Sequence, residues 1–128
     1  MRKRITKQSS GRRITDNMKE VSLSVNKAGL NNDGSQRWAV SIRFANESYK
    51  KVSSTGYVVP EIDDEMGRMY FVESNEQEGF KLSNHSNGSD SVNKHFTFTI
   101  YDKKEWDGKA NNYSLLRDVN EQLYYIEF

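Results

Sequence analysis

The sequence predicts a mainly β chain with short helices (α+β), in which two strand–helix–hairpin units pack as a small sandwich or barrel. Three observations lead there. Apolar residues alternate with polar ones at a period of two in almost every ordered-looking stretch. The eight glycines are scattered as turn residues, with no phosphate-loop or dinucleotide fingerprint. Residues 38–73 and 96–128 repeat one pattern of elements.

The elements follow in order. Val21, Leu23 and Val25 alternate with serines as a strand, and NKAGLNNDGSQ reads as a loop. Trp38, Val40, Ile42 and Phe44 line one face of the next strand, while Arg37, Ala39, Ser41 and Arg43 line a wet one. Asn46 is placed to cap a short helix, ESYKKVSS, ending before Gly56. Tyr57-Val58-Val59 restarts a strand that Pro60 keeps at a sheet edge or ends early. Asp63–Gly67 turns into the strand RMYFVE, and GFKLS is a further short strand. Residues 84–94 are polar and loop-like.

The pattern then recurs. HFTFTIY alternates Phe96, Phe98 and Ile100; Asp102 caps a helical turn carrying Trp106 and closing at Gly108. YSLLRDV is read as one strand, VNEQ as a turn and LYYIEF as the last strand. Trp38, Val40 and Ile42 align with Phe96, Phe98 and Ile100, and Met69–Glu73 with Leu123–Glu127, an offset that shrinks from 58 to 54. Each copy is too short to close a core alone, but two can pack face to face.

Composition bounds what such a chain does. At 128 residues there is room for one domain. Only 34% of residues are hydrophobic, so a deep-cored, multi-lobed enzyme is not expected; seven Tyr, six Phe and two Trp still supply a small core. Trp38, Phe44, Tyr49, Phe96, Phe98 and Trp106 are assigned to it, with Tyr57, Tyr70, Tyr113 and Tyr124 on exposed faces. The absence of cysteine removes disulfides, thiolate zinc sites and thiol nucleophiles. No apolar window spans a bilayer, and a cytoplasmic location is the expectation, the host's cytoplasm if the chain is phage-encoded.

The formal charge of +1 is unevenly placed. Residues 1–19 carry seven Lys/Arg against Asp16, a net of +6; the remaining 12 bases and 17 acids give residues 20–128 a net of −5. A basic arm (1–19), expected to be mobile when free, thus precedes a single mildly acidic domain (20–128). Arg2, Lys3, Arg4, Lys7, Arg12 and Arg13 suit phosphate contacts by counterion release, with Arg37 and Arg43 as contacts from a strand face. The bland alternative is a solubilising tail, or one that folds back on the acidic body.

The segment Ala45–Leu82, a capped helical turn followed by a hairpin with an acidic turn, resembles the AbrB-like swapped-hairpin family, and residues 96–128 carry a shorter version. That resemblance implies a small DNA-binding protein, usually dimeric, so a homodimer joins the expectations. No family residue is carried over. The chain is also similar in style to small bacteriophage early proteins, which implies a second reading, an inhibitor of a host nucleic-acid enzyme or defence complex. It would dock through Glu61, Asp63, Asp64, Glu65, Tyr70 and Glu73.

Catalysis is not expected. His85, Ser86 and Asp90 share one polar loop without the scaffold a nucleophile needs. His85, His95 and Asp90 have no metal-ligand spacing, and Asp63-Asp64-Glu65 lack the partners of a Mg²⁺ site. No cofactor or metal is called for.

Overall fold

Strand alternation organises the chain into two antiparallel sheets of five strands each, in a computed structural model that describes residues 19–84, 93–100 and 102–128. β1 (Val21–Leu30), β2 (Gln36–Phe44), a single-turn helix α1 (Tyr49–Val52), β3 (Tyr57–Asp63) and β4 (Arg68–Glu73) come first. They are followed by β5 (Phe80–Lys81), β6 (Ser83–Asn84) and β7 (Lys94–Ile100), then a 3-10 turn (Lys103–Trp106). The last three strands are β8 (Asn111–Tyr113), β9 (Leu116–Asp118) and β10 (Leu123–Glu127). The first sheet has the order β6-β7-β2-β1-β8 and the second β5-β3-β4-β10-β9. The mainly β expectation therefore holds. Among the described residues no helix is long and apolar enough to cross a membrane.

The inward residues of both sheets meet in one core. Val21, Leu23, Val40, Ile42, Phe44 and Phe96 come from the first sheet, and Val58, Met69, Phe71 and Ile126 from the second. Phe44 meets Phe71 edge-on at 5.1 Å between ring centroids, and Phe96 approaches both rings at 6.2 and 6.4 Å. These are the separations at which aromatic pairs add to plain area burial. Trp106 is buried against Phe98, whereas Trp38 and Tyr49 are only half-buried.

Several elements depart from the sequence reading. The run expected as the 26–36 loop is mostly strand: β1 continues to Leu30 beside β2, with a bulge between Lys27 and Gly29, and only residues 31–35 turn. A polar stretch forms a strand here because its neighbour supplies the ladder, and Gly29, at φ +112°, accommodates the extra residue. Asn46 does not cap α1. It and Glu47 both have positive φ, Ser48 occupies the cap position without a side-chain bond, and the helix is a single turn. Asp102 caps the 3-10 turn as expected, accepting from the Lys104 amide at 2.9 Å. Pro60 does not end β3, but it lies beyond the two residues that β5 covers, on the open side of the strand.

Two segments read as single strands are each split between the sheets. GFKLS divides at Leu82 into β5 of the second sheet and β6 of the first. YSLLRDV divides at Ser114-Leu115 into β8 of the first and β9 of the second. Leu82 is 4% exposed and Leu115 packs against the core, so each crossing is plugged by a leucine. Of the four tyrosines expected on exposed faces, Tyr113 and Tyr124 pack half-buried against the core, Tyr57 is half-buried, and Tyr70 lies on the outer side of β4 but is itself buried.

The expected alignment of Met69–Glu73 with Leu123–Glu127 puts opposite faces together. Met69 and Phe71 point inward on β4, but on β10 the inward residues are Tyr124 and Ile126. Faces match only when Tyr70 is aligned with Tyr125, its direct cross-strand neighbour, an offset of 55. The turns agree. Gly67 donates to the Asp63 carbonyl at 2.9 Å and Gln122 to the Asp118 carbonyl at 2.7 Å, both with positive φ.

Phe71→Ala removes the ring that joins the sheets. It is expected to cost about 3–5 kcal/mol, read from the midpoint of a urea unfolding curve.

Candidate functional site

Because apolar residues are spent on the inner faces, both outer faces are polar, and they differ in charge. On the first sheet, alternation turns Ser22, Ser24 and Asn26 of β1 outward, beside Ala39, Ser41 and Arg43 of β2 and His95, Thr97 and Thr99 of β7. None of these nine is a carboxylate. Ser41 and Thr97 share a hydrogen bond across strands at 2.9 Å, and Arg43 Nε donates to Ser22 Oγ at 3.2 Å. A shallow depression of about 410 Å³ lies over Ser22, Ser24, Asn26, Ser41, Arg43 and His95. Arg37 sits further along β2, its guanidinium donating to the Ala28 carbonyl at 3.2 Å across the bulge. Both arginines are half-buried, held by neighbours on their own sheet.

The second sheet carries a groove of about 890 Å³ between its two similar turns. One lip is Glu61–Met66 at the β3–β4 turn; the other is Arg117–Glu121 at the β9–β10 turn. Arg68, Tyr70, Leu123 and Tyr125 form the floor. Six carboxylates (Glu61, Asp63, Asp64, Glu65, Asp118, Glu121) face two arginines there, a net of −4. Between the acids stand exposed apolar side chains: Ile62, Met66 and, at 77% exposure, Val119.

The floor is tied by one polar knot. The Tyr70 hydroxyl donates to Asp118 Oδ2 at 2.9 Å and accepts from Arg68 Nη1 at 3.0 Å. Arg68 lies 3.4 Å from both Asp118 and Glu127, with its guanidinium 4.2 Å from the centre of the Tyr125 ring. Asp118 Oδ1 also accepts the amides of Asn120 and Glu121. The Glu121 amide, the Tyr70 hydroxyl, the Asn120 amide and the Arg68 charge hold the Asp118 carboxyl below its usual pKa against the opposing effect of burial. For Tyr70 the Arg68 hydrogen bond pulls downward, but desolvation and the Asp118 carboxylate outweigh it and leave the phenol raised. Hydrogen bonding to Tyr70 likewise raises Arg68, which stays charged.

The sequence-derived residues distribute as follows. Arg37 and Arg43 stand on the first sheet. Glu61, Asp63, Asp64, Glu65 and Tyr70 converge on the groove of the second, although Tyr70 presents only its buried floor. Glu73 lies elsewhere: its carboxylate accepts the Ser54 amide at 2.6 Å and hydroxyl at 2.9 Å, which lower its pKa, and it closes the turn after α1. Arg2, Lys3, Arg4, Lys7, Arg12 and Arg13, with His85, Ser86 and Asp90, lie outside the described residues. Among the described residues no three His, Asp or Glu side chains converge as a metal site. Sequence reasoning missed Arg68, Asp118 and the second lip. The signal was available: Asp118 precedes Gln122 as Asp63 precedes Gly67, by four residues, in turns closed by the same bond. No protein-family model, curated protein or solved structure matches the chain.

A carboxylate held below its usual pKa (about 3.9 when free) contributes stability that is present above that value and lost as pH falls through the folded one. Asp118→Asn is therefore expected to flatten the acid side of the stability profile, measured as melting temperature by circular dichroism from pH 7 to pH 3. Parallel curves for the two proteins would show that Asp118 is not held in this way.

Proposed function

We propose that this chain is a non-catalytic nucleic-acid-binding protein that uses its basic arm together with the outer face of the first sheet. The observation that carries the reading is the carboxylate-free face: nine outward positions of hydroxyl, amide, Ala39, Arg43 and His95, on a domain whose net charge is negative. Acidic side chains repel phosphate, and this face lacks them where the opposite one concentrates them. The first rung of the domain lies at one end of this face. Glu20, the residue after the arm, accepts the Ala45 amide with its carbonyl at 2.8 Å, while the next rung but one pairs Ser22 with Arg43. The chain thus enters the fold two rungs from Arg43, within reach of the same surface for the arm's cations. Arm and arginines grip phosphates without reading bases.

The scaffold we infer is a small sandwich built from two copies of one unit. Without the outermost strands β8 and β5, which have no counterparts, the orders β6-β7-β2-β1 and β3-β4-β10-β9 each mirror corresponding strands about the Val40–Phe98 and Tyr70–Tyr125 pairs. Such a chain is a fused counterpart of the dimer that the swapped-hairpin resemblance implies.

A second reading is favoured by the groove of the second sheet. Its acids and exposed Ile62, Met66 and Val119 suit a basic partner protein, as an inhibitor of a host nucleic-acid enzyme would require.

Salt titrations test the first reading. Binding to a fluorescent duplex or single strand is expected to weaken steeply with salt, and removal of residues 1–19 should abolish most of the slope. Arg43→Gln should reduce the slope by about one unit, uniformly across sequences. Absence of binding by the full chain even at low salt would reject this reading and leave the protein-partner reading standing.

A further inference from the structure

The arm itself supplies a segment that fits the acidic groove. Lys3-Arg4-Ile5-Thr6 recurs nine residues later as Arg12-Arg13-Ile14-Thr15, two basic residues followed by the arm's only sizeable aliphatics. The groove offers the complement, a net charge of −4 with Ile62, Met66 and Val119 exposed between its carboxylates. Its floor arginine is already engaged by Asp118 and Glu127, so it does not oppose an incoming cation as a free charge would.

The residue that follows the arm is tied close to this groove. Glu20 Oε1 accepts the Leu115 amide at 3.0 Å, and from Leu115 the chain runs directly along β9 to Arg117 and Asp118 in the groove's second lip. Three strand residues cover about 10 Å. Ile14 precedes Glu20 by six residues, a reach of about 20 Å when extended. The geometry points to docking of Arg12-Arg13-Ile14-Thr15 in the acidic groove of the same chain, with Ile14 against Val119 or Met66 and the arginines among Asp64, Glu65 and Glu121. The groove is then the arm's resting site, and a polyanion must draw the arm out of it. This goes beyond the nucleic-acid reading and stands or falls without any nucleic acid in the tube.

The chain lacks cysteine, so a single Val119→Cys in the full-length protein carries a nitroxide at a fully defined position. Amide signals are then followed by NMR at low and high salt, with the label oxidised and reduced. The expected result is broadening of residues 12–15 beyond that of residues 16–18, independent of protein concentration and lost in high salt. Asp64→Lys with Glu65→Lys should release it, whereas Glu76→Lys with Glu78→Lys, the same charge change away from the groove, should not. Broadening that decays smoothly with distance from Lys19, and ignores the groove substitutions, would overturn the proposal. So would broadening that grows with concentration in mixtures of labelled and unlabelled chains, because the occupant would then be a second copy.

Discussion

The contact between Phe44 and Phe71 is the constraint on which the rest depends. With hydrophobic residues at only 34%, the chain has few apolar side chains to spare, and it closes a core only by turning the inner faces of both sheets onto each other. Phe44 ends β2 and Phe71 is central to β4, so their edge-on meeting sets the two sheets against one another near the chain's own turn at α1. Apart from Ser48 and Ser53, the polar side chains of the described residues are thereby kept out of the interior. The hydroxyl face with Arg43 and the acidic groove with Asp118 are both consequences of how little is left over after the core is filled.

Much of the fold was legible because β alternation carries its own face assignment. Alternation turns Val40, Ile42 and Phe44 inward, and they are fully buried; it turns Arg37 and Arg43 to the wet side, where they stand half-buried. What escaped was information held by a neighbour. Lys27 to Leu30 has no alternation of its own and is a strand because β2 pairs with it. Leu82 and Leu115 look like ordinary strand interior in sequence, yet each marks a passage between sheets, which only the packed structure defines. Asn46 has the side chain of a cap but occupies left-handed backbone, a conformation asparagine tolerates for the same reason that it caps: its amide bonds locally.

The candidate site was half legible in the same sense. The first acidic lip announced itself as a run of four acids within residues 61–65. The second did not, because Asp118 is a lone acid among Arg117, Val119 and Asn120, and its importance comes from the Tyr70 hydroxyl and Arg68 that tertiary structure brings to it. The one-residue slip between the aligned strands β4 and β10 has a similar origin. Aligning identical letters, Glu73 with Glu127, gives the wrong face, whereas aligning turn geometry, Asp63 with Asp118, gives the right one. In a half-buried strand one position of register exchanges inside for outside.

The passages at Leu82 and Ser114-Leu115 also govern how the molecule comes apart. Each sheet has strands that continue covalently, within one or two residues, into the other. Neither can peel away without pulling a strand out of its partner, so the layers lose their amide protection against hydrogen exchange as one cooperative unit. For a domain with so thin an interior, this weaving guards against the partly opened forms whose bare strand edges would otherwise aggregate.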